Sequence, residues 1–387
     1  MLPKKLNKKL DVRKGNSAFR KLGSNSNLVD FSSNDYLGFS NSDAIFDKTH
    51  QYLIDHNLKL NGATGSRLLS GNHALYTEVE TQLSTIHKSE AALIFNSGYD
   101  ANIGLLSSVP QRGDIILYDE YAHASIRDGI NMSNAKNYKF KHNDLEDLEE
   151  KILRFALNDT IDIYVVTESV FSMDGDSPDL LKLIQICTTY NTHLIIDEAH
   201  ALGVFQHGLI QKYNLENAIF ARIITFGKAL GCHGAAIIGS QALKDYLINF
   251  SRSFIYTTAL PPHNLATIKI AYNELVIQST SNALSVNADE ASQKLNENIS
   301  FFKSELQRLN LQFKFIESNS AIHCCIIPGN ENVKSVAKQL QNKGFSVKPI
   351  LSPTVPKDEE RLRFCLHSYN SKEEVSEVLS LLATFVV

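Results

Sequence analysis

Residues 192–200 read THLIIDEAH. Three consecutive large aliphatic residues, Leu194 to Ile196, leave no polar side for a half-exposed strand. A strand apolar on both faces is one covered on both faces, as in a parallel sheet sandwiched between helices. The run stops at Asp197, Glu198 and His200. Polar residues at the C-terminal end of such a strand stand where open α/β sheets bind their ligands.

The surrounding sequence repeats the pattern. ALIF (92–95), DIILY (114–118), IDIYVVT (161–167), RIITF (222–226) and AAIIG (235–239) read as further strands. LEDLEEKILRFAL (145–157) and PDLLKLIQICTTY (178–190) carry helical spacing between them. Alternating strands and helices predict an α/β fold on a mostly parallel sheet. After YTTALPPHN (256–264) the texture changes. A long helical stretch over 265–310 precedes two strands, FKFIES and AIHCCIIP. A helix (ENVKSVAKQLQNKG), strands FSVKPI and RLRFCLHS, and a last helix from Ser371 follow. The expected organisation is an N-terminal segment 1–45, a large domain 46–262 and a smaller α/β domain 263–387, with Pro261 and Pro262 marking the boundary.

Composition narrows the function. The 387 residues suffice for two or three domains. A net charge of -4 argues against nucleic acid as a partner, because neutralising phosphates takes clustered Lys and Arg. The one basic run, MLPKKLNKKLDVRKGN, lacks the apolar stretch of a signal peptide and predicts an exposed amphipathic helix. No run approaches the ~18 apolar residues of a membrane span. The five cysteines are scattered without a CxxC pair, which predicts buried free thiols in a reducing cytoplasm and no metal site.

As a string, LIIDEAH also matches the Walker B box of DEAH-type nucleotide enzymes. Such an enzyme needs GxxxxGK[ST] upstream of that strand. The only Gly-Lys pair, Gly227-Lys228, lies downstream, and Ala229 stands where the metal-binding hydroxyl belongs. A DEAH-type nucleotide-binding module is therefore the remote alternative.

Lys228 has a better reading. It sits in TFGKALGCHGAAIIGS (225–240), among small residues. Asp197 ends one strand and Lys228 follows another 31 residues on, so a parallel sheet brings both to one edge with His200. Pyridoxal 5′-phosphate (PLP) uses such a set: an amine for its aldehyde, an acid for its ring nitrogen, and donors for its phosphate. Gly98 and Tyr99, in NSGYDAN, stand at a predicted helix start suited to phosphate. Thr225 adds a hydroxyl, and His123 is a candidate to cover the ring.

With those residues in hand the sequence resembles the α-oxoamine synthases, fold-type I PLP enzymes that condense an amino acid with an acyl thioester. The motifs carrying the resemblance are FSSNDYLGFS (31–40), GATGSRLLSG (62–71), FNSGYDAN (95–102), HASIRDG (123–129), TESVFSMDGD (167–176), IIDEAHALG (195–203), TFGKALGCHGAA (225–236), YTTALPP (256–262) and SPTVP (352–356). The resemblance implies a large domain on a mostly parallel seven-stranded sheet. It implies Lys228 as the cofactor-bearing amine, Asp197 at the ring nitrogen, His200 at the ring hydroxyl and His123 stacked on the ring, with Lys228, His123 and Asp197 catalytic. Ser172, Thr225, Gly98 and Tyr99 would contact the cofactor, and His123, Arg20 and Thr354 the substrates. Glu168 would lie near the acyl chemistry. The family pattern is a homodimer in which Thr257 or Thr258 reaches the partner's cofactor phosphate.

Within the family, KHND (141–144), YTTALPP and PTVP resemble the member that joins L-alanine to a pimeloyl thioester, carried by coenzyme A or acyl carrier protein. A sister enzyme using glycine or serine with another acyl group is the alternative. One position departs from the pattern: Leu351 replaces an arginine that receives the amino-acid carboxylate in many members. Lys348, Arg363 and Arg20 are candidates to replace it, since a buried carboxylate needs a charged partner. No role is assigned to Cys232 or His233.

Overall fold

The computed structural model describes residues 2–20, 22, 27–156, 160–280 and 287–386. The chain divides into two compact units. The larger comprises Asp35–Phe171 and Ser177–Ser292; the smaller comprises Met1–Asn34, Ser172–Asp176 and Gln293–Val387.

Seven strands build the sheet of the larger unit: β1 (Ala91–Phe95), β2 (Ile115–Asp119), β3 (Lys136–Phe140), β4 (Ile163–Glu168), β5 (His193–Asp197), β6 (Ala221–Thr225) and β7 (Ala235–Gly239). Their order is β1-β7-β6-β5-β4-β2-β3. β7 runs antiparallel to both neighbours; every other pairing is parallel. Six strands therefore point the same way, and their C-terminal ends form one edge.

The fully apolar strands are explained by two cores, one on each face. Ile195 of β5 joins Leu93, Ile116, Val166 and Ile223, with Ala101 and Leu105 of helix Gly98–Ser108 and Ile126 of helix Ala124–Met132. Its neighbours Leu194 and Ile196 point the other way, onto Leu117 and Val165. There Leu148 and Ile152 of helix Leu145–Phe155 and Leu183 of helix Leu180–Thr189 cover them. Full burial of each such aliphatic contributes about 1.5–3 kcal/mol.

β3, KNYKF, is the strand that hydrophobic pattern did not reveal. It lies at the sheet edge with four exposed residues, and only Phe140 is buried.

The proline pair does not separate the units. Pro262 opens helix Pro262–Thr280, a position that needs no backbone N–H. Leu265, Ile268, Tyr272 and Leu275 of this helix are buried, and it packs on helices Asp43–Asp55 and Ala74–Ile86 of the larger unit. The division falls after Ser292 instead. The helical stretch expected over 265–310 is two helices, Pro262–Thr280 and Asn287–Arg308; residues 281–286 lie outside the described residues. Leu157, at the end of another expected helix, also lies outside them.

The smaller unit carries an antiparallel sheet of β8 (Ile322–Ile326), β9 (Lys348–Ile350) and β10 (Arg361–Cys365), in the order β8-β10-β9. Helices Asn330–Asn342 and Lys372–Val386 accompany it. FKFIES, expected as a strand, forms a short 3-10 turn and one bridge from Phe315 to Cys325. FSVKPI splits: Phe345–Ser346 pairs in parallel with Val29–Asp30, while Lys348–Ile350 joins β10.

The basic N-terminal run is helix Lys4–Gly15, and none of its residues is buried. It is not two-faced as expected. Leu6 and Leu10 share a side, but Val12 is turned roughly 200° from Leu10. Among the described residues no helix is long and apolar enough to cross a membrane. The cysteines are free thiols, four buried and Cys232 half-buried.

Candidate active site

The register of the sheet assembles the site. At its C-terminal edge Glu168 of β4 lies directly beside Asp197 of β5, and Asp197 beside Ile223 of β6. Thr225 closes β6, and Ala235 of β7 pairs with both Thr225 and Phe95 of β1. The same edge thus carries Glu168 and Asp197 in one row, Thr225 two positions beyond it, and the start of helix Gly98–Ser108.

Lys228 occupies the loop between β6 and β7. Phe226 and Gly234 close the loop through a 2.9 Å backbone bond, and Gly231 N donates to Lys228 O at 2.9 Å. Gly231 has φ +60, and a Cβ there would stand 2.2 Å from the backbone N of Ser40. The glycine-rich composition of this loop is in part a packing requirement. Cys232 turns its thiol to Leu230 O at 3.0 Å, and His233 is exposed.

The half-buried Lys228 Nζ lies 2.7 Å from His200 Nε2, and His200 Nδ1 lies 2.7 Å from the hydroxyl of the fully buried Tyr36. A phenol, an imidazole and an amine therefore stand in line.

Asp197 is held separately. Its Oδ1 accepts from Ala199 N at 2.9 Å and its Oδ2 from Asn102 Nδ2 at 2.8 Å. The same Asn102 amide donates to Ser125 Oγ at 3.1 Å, and Ser125 Oγ lies 2.7 Å from His123 Nδ1. Ser125 N also donates to His123 Nδ1 at 3.2 Å, so that nitrogen is an acceptor and a neutral ring carries its proton on Nε2. Asn102 ties the aspartate and this histidine to one helix.

Electrostatics link the members. Burial lowers the pKa of the His123 imidazole from its ordinary value, while Asp197 opposes the shift and Lys228 adds to it. Glu168 is fully buried and its Oε1 accepts from His123 N at 2.7 Å. Burial first, then the neighbouring Asp197, raise its pKa to about 8, against the pull of Lys228. At neutral pH Glu168 is a neutral acid beside Asp197.

The second acid of the DEAH string is structural. Glu198 is wholly buried; its Oε2 accepts from Arg222 Nε at 2.9 Å and Nη2 at 2.5 Å, and its Oε1 from Ile210 N at 3.0 Å. It anchors the turn that carries Asp197 and His200.

The structure thus brings together Lys228, His200, Asp197 and His123. Gly98 is close by: among the described residues a Cβ there would meet only Thr225, at an ordinary 3.6 Å, so packing against them does not compel a glycine. Thr225 Oγ1 meanwhile donates to Gly234 O at 3.2 Å. Tyr99 points its hydroxyl to Asp128 at 2.6 Å and is half exposed. Asn96 Nδ2 grips the neighbouring loop through Thr257 Oγ1 at 3.1 Å and Thr258 O at 2.7 Å, leaving Thr258 exposed.

Ser172, Arg20 and Thr354 belong to the smaller unit. Within it Arg20 Nη2 lies 3.5 Å from Thr354 Oγ1, across 334 residues of sequence. Arg363 is buried and donates to Ser172 O at 2.7 Å, Asn34 Oδ1 at 3.0 Å and Cys365 Sγ at 2.8 Å. Lys348 is exposed. Tyr36, Asn102 and Ser125 escaped the sequence reading of the site, although each lies inside a quoted motif.

An amine, an acid fixed by two N–H donors, two imidazoles and an open glycine at a helix start make a donor set that fits an aldehyde-bearing pyridine cofactor with an anionic tail. Comparison with known proteins agrees. The family model described as aminotransferase class I and II matches residues 26–382, and the chain belongs to that family. It is similar to the 8-amino-7-oxononanoate synthase of Emericella nidulans, with 38% identity over 385 residues, 93% of this chain and 90% of that protein. The solved 8-amino-7-oxononanoate synthase of Francisella tularensis matches with TM-score 0.75 at 28% identity, over 92% of this chain and 97% of that one. A structure of SPT with PLP matches with TM-score 0.82 at 25% identity, over 92% and 86%. These relatives bear out the resemblance to α-oxoamine synthases and the fold-type I architecture.

Proposed function

We propose that this PLP-dependent acyltransferase joins L-alanine to a pimeloyl thioester, releasing CO₂ and the free thiol carrier and giving 8-amino-7-oxononanoate, the biotin-pathway product. The observation that carries the reading is the Lys228 amine 2.7 Å from His200 beside the doubly held Asp197, in a chain similar to 8-amino-7-oxononanoate synthase. The DEAH-type nucleotide module is set aside by the family.

When bound, PLP supplies an electron sink for negative charge at the α-carbon of the amino acid. Lys228 would hold its aldehyde carbon, Asp197 its ring nitrogen and His200 its ring hydroxyl, while His123 would cover the ring. Thr225 and Ser172 would contact it, and the first N–H groups of helix Gly98–Ser108, at Gly98 and Tyr99, would receive its phosphate. Thr258 of a second copy completes the phosphate site in a homodimer, and the enzyme works in the cytoplasm.

The residues divide the work. Lys228 Nζ, as a neutral amine, would take the α-proton of the amino acid and later return one to the product. Tyr36 keeps the His200 ring turned toward Lys228. Asn102 keeps Asp197 and His123 in register. The neutral Glu168 carboxyl has a proton to share with the oxygen that gains charge when the thioester is attacked. Arg20 and Thr354 meet the acyl substrate, and Arg363 receives the amino-acid carboxylate in place of the arginine missing at Leu351.

The test pairs L-alanine, glycine and serine with pimeloyl, acetyl and palmitoyl thioesters, with products weighed by mass spectrometry. Only alanine with pimeloyl thioester is expected to give product at an appreciable rate. Preferred turnover of serine with palmitoyl thioester replaces the reading with that of the SPT neighbours. Lys228→Ala should lose the borohydride-reducible adduct and slow turnover by roughly 10²–10⁴-fold or more. An adduct elsewhere in the chain removes Lys228 from its role.

A further inference from the structure

Two loops of the smaller unit are tied together away from the chemistry proposed above. One follows the short strand Val29–Asp30 and carries Ser32 and Ser33; the other follows β10 and carries His367, Tyr369 and Asn370. Cys365 N donates to Phe31 O at 2.9 Å, joining their bases. Asn298 Nδ2, from helix Asn287–Arg308, donates to His367 O at 2.9 Å and to Asn370 O at 2.8 Å. His367, Asn370 and Asn298 are buried, so the second loop is rigidly held.

The hydrogen bonds place the protons. Asn370 Nδ2 donates to Asp30 O at 3.1 Å, which turns Asn370 Oδ1 toward His367, where it accepts from His367 N at 2.9 Å. His367 Nδ1 lies 3.1 Å from the same oxygen and therefore carries the proton of the neutral ring. Nε2 is then an acceptor. Its neighbours are Ser33 Oγ at 3.1 Å and Ser33 O at 3.2 Å. A carbonyl has no proton to give, so the bond that forms runs from the Ser33 hydroxyl to Nε2. A hydroxyl on an imidazole whose tautomer is set by a third side chain is the arrangement that activates a serine nucleophile.

Two more groups serve the charges such chemistry creates. The exposed Tyr369 ring stacks on His367, with centroids 4.6 Å apart, and its hydroxyl lies 3.5 Å from Ser33 Oγ. That hydroxyl donates to Asp30 Oδ2 at 3.2 Å, and its rotor can turn to an oxygen gaining charge beside the serine. Asp30 Oδ2 lies 4.0 Å from His367 Nε2. Burial alone would raise the Asp30 pKa, but hydrogen bonds from Ser33 and Ser32 and the nearby His367 bring it to about 2. Asp30 is thus a carboxylate at neutral pH, placed to offset a charged imidazolium.

We infer that Ser33 is the nucleophile of a second activity, the hydrolysis of short-chain carboxylic esters, with His367 as general base and Asn370 as its positioning residue. Ser33 is only partly exposed, which admits a short acyl group. Ser33 Oγ bonds to the ester carbonyl carbon while its proton passes to His367 Nε2. The bond from that carbon to the alcohol oxygen breaks, and the alcohol leaves with the proton. Water, giving a proton to His367, then attacks the acyl carbon, and Oγ departs and recovers its proton from the ring. Ester and water become acid and alcohol, and Lys228 takes no part.

The experiment incubates the cofactor-loaded full chain with p-nitrophenyl acetate and, separately, with a fluorophosphonate probe, and locates adducts by peptide mass mapping. Continuous nitrophenolate release and a phosphonate adduct on Ser33 are expected. Ser33→Ala should lose the adduct and the release, and His367→Gln should slow both by roughly 10²–10⁴-fold. Asn370→Asp keeps an acceptor for the Nδ1 proton and should restore kcat that Asn370→Ala loses. Circular dichroism checks each fold; Ser33→Ala deletes a single oxygen and decides the matter if His367→Gln does not fold. No adduct, an adduct on another residue, wild-type labelling in folded His367→Gln, wild-type release in Ser33→Ala, or no rescue by folded Asn370→Asp would each overturn the inference. Neither probe contains an amino acid, so these results stand apart from the condensation proposed above.

Discussion

Glu168→Gln isolates the charge of one buried acid. The folded chain holds Glu168 at a pKa of about 8, against 4.5 for the unperturbed side chain. The raised value means that its contribution to stability is complete below pH 4.5 and is lost as pH climbs toward 8. At 1.36 kcal/mol per unit, the folded state forfeits about 3 kcal/mol by pH 7 and about 5 kcal/mol above pH 8. Glutamine keeps the oxygen that accepts His123 N–H and cannot ionise. The cofactor-free variant should therefore match the wild type near pH 4 and exceed it by about 3 kcal/mol at pH 7. At about 2–4 °C per kcal/mol for a unit this size, that is roughly 6–12 °C in Tm. Thermal melts of both proteins from pH 4 to 9 read the difference directly. Parallel profiles across that range would refute the reasoning, since they would mean Glu168 titrates as an ordinary exposed acid. Slower turnover in the stabilised variant would mark the neutral carboxyl as strain kept for function.

Three further outcomes follow from packing and polarity. Arg222→Met leaves the Glu198 charge buried without its guanidinium, and chemical denaturation should show a loss of about 3–5 kcal/mol. Asn102→Ala strips a donor from Asp197 and from Ser125; cofactor titration by absorbance should show affinity down about tenfold or more, with about 1–3 kcal/mol lost in stability. Gly71→Ala would set a Cβ 2.3 Å from the Gly65 carbonyl oxygen and 2.6 Å from Ala259 Cβ, whereas Gly62→Ala meets nothing within 4 Å. The first should cost about 1–3 kcal/mol in a denaturation curve and the second almost nothing.

The interior of the sheet was legible because burial on both faces leaves an unmistakable apolar run, as at Leu194–Ile196. Its exposed edge was not: four residues of KNYKF meet solvent, so no selection for apolarity marks them. The proline pair misled for a physical reason, since the residue that ends one segment can equally open a helix. The spacing of Asp197, His200 and Lys228 was readable because parallel strands place their ends along one edge. Tyr36, Asn102 and Ser125 were hidden. Their work is to orient other side chains, and a single tyrosine, asparagine or serine has no periodicity to announce it. The division of the chain was the least readable feature, because a unit made of three separate stretches has no linker to find.

That division has a consequence during synthesis. The smaller unit pairs Val29–Asp30 with Phe345–Ser346, and Cys365 N donates to Phe31 O at 2.9 Å. Ser32 and Ser346, whose hydroxyls lie 2.9 Å apart, are separated by 314 positions. At about 5–20 residues per second, the N-terminal strand waits roughly 16–60 s for its partner to be translated. The larger unit has every strand of its sheet by Gly239, well before that moment. Birth order therefore runs from the inside of the chain outward. A polypeptide cut short near its end would carry a finished cofactor sheet while its first thirty-odd residues stayed unmatched, exposed to proteases as a tag of incompleteness.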